Sequence, residues 1–263
     1  MFKRKILSKL EAWKQDERHK PLILRGARQV GKTTVVNEFG SQFDNYLYFN
    51  LEMSESVRLF EMDIPLNDLV NMLFASLGKL QKEGSTLIFI DEIQKSSKTI
   101  ALLRYFYEQR PDLYVIAAGS LLENLVDINV SFPVGRVMYL ALRPCSFFEF
   151  LGAIGKNNLL TILSQKAEYT IAFHKQLMHQ FNQYTIIGGM PEAVQHYAET
   201  QDIIAIEDVY ETLVQAYKDD SEKYARSNKL TDVVRFILSY GWAFSGETIT
   251  WATSPTLDIN HER

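Results

Sequence analysis

Residues 26–33 read Gly-Ala-Arg-Gln-Val-Gly-Lys-Thr, which fits G-x-x-x-x-G-K-[ST] at every fixed position. The context narrows the fold further. The short apolar run Leu22-Ile23-Leu24 leads into the first glycine, and residues 32–39 are helix-like, with Gly40 suited to the C-cap. In a strand–loop–helix unit of this kind the glycines let the backbone curl, so that successive N–H groups face phosphate oxygens. The helix that follows adds its positive N-terminal end. Lys32 supplies a mobile charge for the β- and γ-phosphates, and the Thr33 hydroxyl is a ligand for the magnesium ion that bridges them. The candidate nucleotide contacts are Gly26, Ala27, Arg28, Gln29, Val30, Gly31, Lys32, Thr33 and Thr34.

Hydrophobic periodicity supports an α/β protein. Ile6, Leu7, Leu10 and Trp13 have helical spacing within residues 3–14. Apolar runs at 46–51, 86–90, 113–118 and 137–142 read as strands, and residues 66–80 and 98–109 read as helices between them. Short, fully apolar strands alternating with helices predict a three-layer parallel sheet covered on both faces. Beyond about Pro144 the strand signals stop. Residues 146–151, 159–183, 191–197, 203–223 and 231–238 read as helices. The expected division is an α/β core over 1–150, followed by an all-α region over 151–263.

A phosphate loop needs an acidic partner at the end of another strand. Ile88-Phe89-Ile90 runs into Asp91-Glu92, which puts Asp91 at the carboxyl end of its strand, where ligands sit in open α/β sheets. Asp91, with Thr33, is the candidate magnesium ligand. Glu92 is the candidate base for a water attacking the γ-phosphate; an isolated Asp-Glu pair could equally be a solvated turn. The strand at 113–118 ends in Gly119-Ser120, so Ser120 is a candidate to hold that water, or to cap the next helix, or both. No N-K-x-D motif accompanies these residues, which favours ATP over GTP.

Composition sets the outer limits. Hydrophobic residues are 46% and charged residues 23%, a globular balance that excludes disorder as the main state. The net charge of −4 gives no support to nucleic-acid binding by bulk charge. Cys145 is the sole cysteine, so disulfides within the chain and multi-cysteine metal sites are excluded, and a reducing cytoplasm is expected. No run approaches the roughly 18 apolar residues that span a bilayer. The five histidines lack ligand spacing.

Six segments occur in a characteristic order: Arg25 through Thr33, Asp91-Glu92-Ile93-Gln94, Gly119-Ser120, Gly135-Arg136, Pro144 through Leu151, and Gly188-Gly189-Met190-Pro191. Together they resemble the uncharacterised AAA+-type P-loop ATPases of bacteria and archaea, over roughly residues 1–250. The Asp-Glu-Ile-Gln, Ser-Phe-x-Glu-Phe and Gly-Gly-Met-Pro pieces carry most of the specificity. The resemblance implies a P-loop core, an α-helical lid and a further C-terminal domain, most of which this chain is expected to lack, since it runs into the polar tail 254–263. It also makes Arg136 a candidate phosphate-sensing or trans-acting arginine, although a surface strand arginine is an equal reading; Arg143 and Arg28 are the fallbacks.

The expected reaction is in-line attack of water on MgATP, with Lys32, Glu92, Ser120 and Arg136 as the catalytic set. The expected partners are ATP, a second copy of the chain, and an unidentified protein whose conformation the hydrolysis would change. The rival is a nucleotide-gated binding module with negligible hydrolysis. The adjacent Glu92 favours the enzyme, because a pure switch does not need it.

Overall fold

The computed structural model describes residues 2–119, 133, 135–164, 170–224 and 228–240. By contact density the chain forms two compact units, Met1–Ile206 and Glu207–Arg263. The first unit opens with α1 (Ile6–Lys14), β1 (Leu22–Arg25), α2 (Lys32–Gly40) and β2 (Asn45–Asn50). It continues through α3 (Ser54–Phe60), α4 (Leu66–Ser76), β3 (Thr86–Asp91), α5 (Ser97–Gln109), β4 (Leu113–Gly119) and β5 (Met138–Ala141).

The five strands form one sheet in the order β2-β3-β4-β1-β5, and every pairing is parallel. Side-chain alternation along the strands sends apolar groups to both faces. Ile23, Ile88, Ile90, Val115 and Ala117 pack against Phe60 of α3, Leu69 and Leu73 of α4, and Leu103 and Phe106 of α5. Leu22, Leu24, Leu87, Phe89, Ile116 and Ala118 face Leu10 and Trp13 of α1 and Val36 and Phe39 of α2. This is the three-layer P-loop arrangement that the sequence predicted.

The strand order has a consequence for the site. The loop after β1 and the acidic end of β3 are not on neighbouring strands; β4 lies between them. All strands run the same way, so the ends of β1, β3 and β4 nevertheless open on one edge of the sheet.

Among the described residues the first unit continues with α6 (Phe147–Ala153), α7 (Asn157–Ser164), α8 (Thr170–Ile187), α9 (Pro191–Thr200) and a short 3-10 turn, Ile204–Ile206. Phe150 of α6 is fully buried, with its ring against Tyr184 of α8 and Tyr197 of α9. Leu151, Leu159 and Leu177 form a smaller core that joins α6, α7 and α8. The second unit contains α10 (Glu207–Tyr224) and α11 (Asn228–Tyr240), which pack on each other. Among the described residues, no helix is long and apolar enough to cross a membrane.

Some element readings need correction. Of the stretch 159–183, expected as one helix, the described residues fall in α7 up to Ser164 and in α8 from Thr170, and 165–169 lie outside the described residues. Residues 66–80, also expected as one helix, stop at Ser76. Gly78 there adopts φ +61°, and the N–H groups of Gly78 and Lys79 fold back onto the carbonyls of Ala75 and Phe74. That pattern closes a helix on a left-handed glycine. The helix α3 was not expected, because it is short and buries only Phe60.

Candidate functional site

The loop between β1 and α2 owes its path to specific backbone requirements. Gly26 lies so close to β5 that an added Cβ would meet the Leu142 carbonyl oxygen at 2.5 Å, and Leu142 N–H in turn donates to Arg25 O at 2.7 Å. Gly31, at φ +89°, is the N-cap of α2, a conformation that glycine adopts without steric cost. Gln29 is also left-handed, at φ 59°. Alternating backbone handedness curls the loop into a concave run of N–H groups.

Within that curl the predicted residues separate by role. Lys32 is buried, and its Nζ donates to the Gly26 and Ala27 carbonyls, each at 2.9 Å. Val30 points its side chain into the core, so only its backbone faces the loop. Arg28, Gln29, Gly31, Lys32, Thr33 and Thr34 line a cavity of about 510 Å3. Glu92 lines the same cavity from the end of β3. The volume falls in the range of small-molecule sites.

The two halves of the site meet at Thr33 and Asp91. The Thr33 hydroxyl donates to Asp91 Oδ2 at 2.6 Å. Asp91 closes β3, and the Leu51 N–H that follows β2 donates to the Asp91 backbone carbonyl. Glu92 turns into the left-handed region at φ 54° and starts the short 3-10 turn Ile93–Lys95. A non-glycine residue held there is strained, and such strain clusters at functional sites. The Gln94 amide donates to Glu92 Oε2.

Burial dominates the electrostatics. It raises the Asp91 carboxyl above its ordinary value, against the opposing pull of the Thr33 hydrogen bond. It raises Glu92 in the same way and lowers Lys32. Three charged side chains are thus partly desolvated around one cavity, where electrostatic interactions with a ligand are stronger than in water.

Hard oxygen donors that stand side by side, Thr33 Oγ1 and Asp91 Oδ2, fit a magnesium ion, which takes few protein ligands and completes its shell with phosphate and water oxygens. Among the described residues no group of three His, Cys, Asp or Glu side chains could hold a metal by itself.

Arg136 stands elsewhere. Met138 pairs with Leu22 and Ala141 with Arg25, so Arg136, ahead of β5, is at the end of the sheet opposite the loop. Its Nε donates to Glu108 Oε1 at 2.7 Å. It is therefore not in its own chain's cavity. Ser120 lies outside the described residues.

Sequence reasoning missed two contributors to the cavity. Pro191, Glu192 and Gln195 reach it from the first turns of α9, and Phe2 and Arg4 reach it from the N-terminal segment. The α9 contribution follows from the Gly-Gly-Met-Pro turn. A Cβ on Gly189 would meet Cys145 O at 2.5 Å, and Cys145 N–H donates to Gly189 O at 2.6 Å. Only glycine lets that turn dock against residues 144–145, and Pro191 then starts α9 at its first position. Arg4 had a legible signal: it lies one helical step before Leu7 and Leu10, on the stripe that is buried.

A parallel five-stranded sheet, a phosphate loop at the end of its interior strand β1 and an acidic pair at the end of β3 define a P-loop nucleotide-binding protein. Residues 18–151 match the AAA domain family and residues 178–249 a domain of unknown function, DUF8612. The first match spans more than half of the chain, and the protein belongs to that AAA domain family. The Walker-type ATPase PABY2304 of Pyrococcus abyssi is similar in fold: TM-score 0.56 and 18% identity, over 95% of this chain and 86% of that one. C. elegans PCH-2 aligns at TM-score 0.41 and 13% identity, over 90% and 68% of the two chains. Drosophila ORC bound to DNA aligns at TM-score 0.38 and 15% identity, over 93% and 68%. No curated protein matches the sequence significantly.

Proposed function

We propose that this chain binds MgATP in the cavity at the end of β1 and hydrolyses it, using the cycle to change the conformation of a partner protein or of its own assembly. The supporting observation is the Thr33–Asp91 hydrogen bond, which joins the loop to the acidic strand and leaves Glu92 on the cavity wall. The domain reading that goes with it is a core over 1–150 and, over 151–263, a helical lid and the start of a C-terminal region, in a cytoplasmic protein.

Each step is assigned to this chain's own residues. The backbone N–H groups of the loop bind the phosphates, helped by the α2 N-terminus. Lys32 leaves the Gly26 and Ala27 carbonyls for the β- and γ-phosphate oxygens and neutralises their charge. Thr33 and Asp91 would hold magnesium, which would polarise the phosphates and offset their charge. Glu92 orients a water for in-line attack on the γ-phosphorus and takes up its proton, while the bond from that phosphorus to the β–γ bridging oxygen breaks and ADP leaves with the electron pair. Its raised pKa, caused by burial, makes it a better proton acceptor than an exposed carboxylate. Ser120 is assigned to hold the same water. Arg136 is assigned to a neighbouring copy's cavity, because it faces away from its own.

Single-turnover hydrolysis by the wild type and by Glu92→Gln tests this. Turnover that disappears in the variant while MgATP binding persists supports the enzyme. A wild type that binds MgATP without hydrolysing it, alone or at high protein concentration, would leave the nucleotide-gated module.

A further inference from the structure

We propose that Arg4 is a positioning residue for the phosphate loop, holding one loop peptide so that the Gly31 N–H faces the cavity, and that Glu149 is the anchor that fixes it there. The inference rests on the nucleotide-binding reading above. It assigns work to the Ser-Phe-x-Glu-Phe segment and the N-terminal segment, which that reading leaves without any.

Arg4 is 4% exposed, a level rare for arginine unless it is fully partnered. Its guanidinium serves three acceptors in three directions. Nε donates to Glu149 Oε1 at 3.0 Å, Nη1 to the Val30 carbonyl at 3.1 Å, and Nη2 to the Arg143 carbonyl at 2.6 Å. One guanidinium therefore ties the N-terminal segment to the phosphate loop and to the turn after β5.

The Val30 contact carries the functional consequence. The Val30 carbonyl and the Gly31 N–H belong to one peptide unit. In a trans planar unit they point in opposite directions, and no described peptide bond is cis. Arg4, itself at the border of the cavity, holds the carbonyl and so fixes the plane of this peptide and with it the direction of the Gly31 N–H. Gly31 is itself left-handed, and glycine has little intrinsic preference to keep the peptide from rotating. An outside restraint is what makes that N–H a preorganised donor.

Glu149 fixes the restraint in turn. Its carboxylate accepts from Arg4 Nε, from Lys5 N–H at 2.8 Å, and from Ser146 N–H and Oγ at 2.8 and 3.0 Å. Ser146 is the N-cap of α6 in a reciprocal capping box with Glu149. Burial alone would raise the Glu149 carboxyl, but the hydrogen bonds from Ser146, Lys5 and Arg4 outweigh it and hold it below the ordinary range. The Arg4 charge is thus neutralised by its own partner. Its contribution to a phosphate ligand is orientation rather than net charge, so affinity and not the chemical step depends on it.

The test uses the full chain and Arg4→Lys. Lysine keeps the charge but cannot hold three acceptors in the planar fork of arginine. Calorimetry with MgATP at 25 °C, thermal melting without nucleotide, and kcat with KM are measured together. The expected result is MgATP affinity weakened about tenfold for the folded variant, the size of one lost hydrogen bond, with KM raised and kcat at saturation unchanged. A merely structural role would lower the melting temperature and leave the affinity of the folded protein at the wild-type value; that result overturns the proposal. A fall in kcat at unchanged KM also overturns it. Should Arg4→Lys not fold, Arg4→Gln combined with Glu149→Gln removes both charges together, and it is expected to show the same loss of affinity; wild-type affinity there overturns the proposal. Wild-type protein that does not bind MgATP defeats the functional reading itself, a result distinct from all of these.

Discussion

The Thr33 hydroxyl reaches Asp91 Oδ2 at 2.6 Å although 58 residues and an intervening strand separate them. The first turn of α2 leans across the end of β4 to make the contact. Two oxygen ligands of a kind that magnesium prefers are thereby adjacent within the protein itself, so little rearrangement is needed to form the site. Burial raises the Asp91 carboxyl, so a cation there would recover solvation that the carboxylate has lost.

The magnesium requirement should therefore respond to Asp91. Asp91→Asn keeps an acceptor for the Thr33 hydroxyl and removes the negative charge. The variant is expected to fold, and to need at least about tenfold more magnesium for half-maximal ATP affinity, as expected when one charged ligand is lost. A magnesium titration of ATP binding that superimposes on the wild type would remove Asp91 from the ion's shell.

Lys32→Ala should abolish most nucleotide affinity. The Lys32 ammonium is buried, and burial has already lowered its pKa, so it has surrendered water that a triphosphate would replace. Charge-assisted hydrogen bonds of this sort are worth roughly twice a neutral one. The expected outcome by calorimetry is a loss of about 100-fold or more in MgATP affinity. Near-wild-type affinity would contradict the loop's assignment.

Glu92→Gln should separate binding from turnover and stability from both. Hydrolysis is expected to fall by about 10²–10⁴, the usual contribution of a general base, with affinity retained. The raised Glu92 pKa means that the folded chain holds the proton more tightly than the unfolded chain, so at neutral pH the ionised carboxylate opposes folding. The amide has no charge to desolvate. Its melting temperature should equal or exceed that of the wild type; a clearly lower one would mean that the carboxylate is better compensated than its burial indicates.

These residues were legible because their chemistry is local. Gly26, Gly31 and Lys32 form a contiguous pattern, and Asp91 follows a run of apolar residues that could only be an internal strand. Strand order is not local. Nothing in residues 86–91 tells whether β4 will insert between β3 and β1, because all three strands are apolar on both faces. Arg4 continues the buried stripe of Leu7 and Leu10, but its residue type argued against burial. A basic residue at the start of a helix reads as solvated, and its burial depends on acceptors 26, 139 and 145 positions away. The docking of Gly189 on Cys145 was equally invisible, since glycine and proline mark ordinary turns as readily as tight contacts.

The Arg4–Glu149 pair predicts a pH-dependent share of stability. Glu149 is held below its ordinary value, so its stabilisation is fully present above the unfolded carboxyl's pKa and is lost as pH falls through the folded value. Glu149→Gln leaves a buried guanidinium without its counter-charge and should cost about 3–5 kcal/mol at pH 7. Denaturant melts from pH 7 to below 4 should show the gap between wild type and variant closing at the acid end, where the wild-type carboxyl is also neutral. A gap that stays constant with pH would mean that the amide loses only packing or capping.

The last prediction concerns Arg136, which, among the described members of the expected catalytic set, the fold directs away from its own cavity. Arg136 precedes β5 at the far end of the sheet, is 42% exposed, and holds Glu108 through a single hydrogen bond at the surface. Exposed pairs of this type contribute little to stability, so Arg136→Ala should fold normally and bind MgATP as the wild type does. Any catalytic effect must then pass to a second copy. A cation supplied in trans to a phosphoryl-transfer site is worth about 10³–10⁵ in rate. Specific ATPase activity should therefore rise with protein concentration in the wild type and stay low and flat in Arg136→Ala. Mixing Arg136→Ala with catalytically dead Glu92→Gln is the decisive arrangement: the first supplies an intact cavity and the second an intact arginine, so activity should reappear only in the mixture. A mixture as inactive as its components, beside a wild type whose rate does not change from nanomolar to micromolar protein, would show that Arg136 serves no neighbouring site.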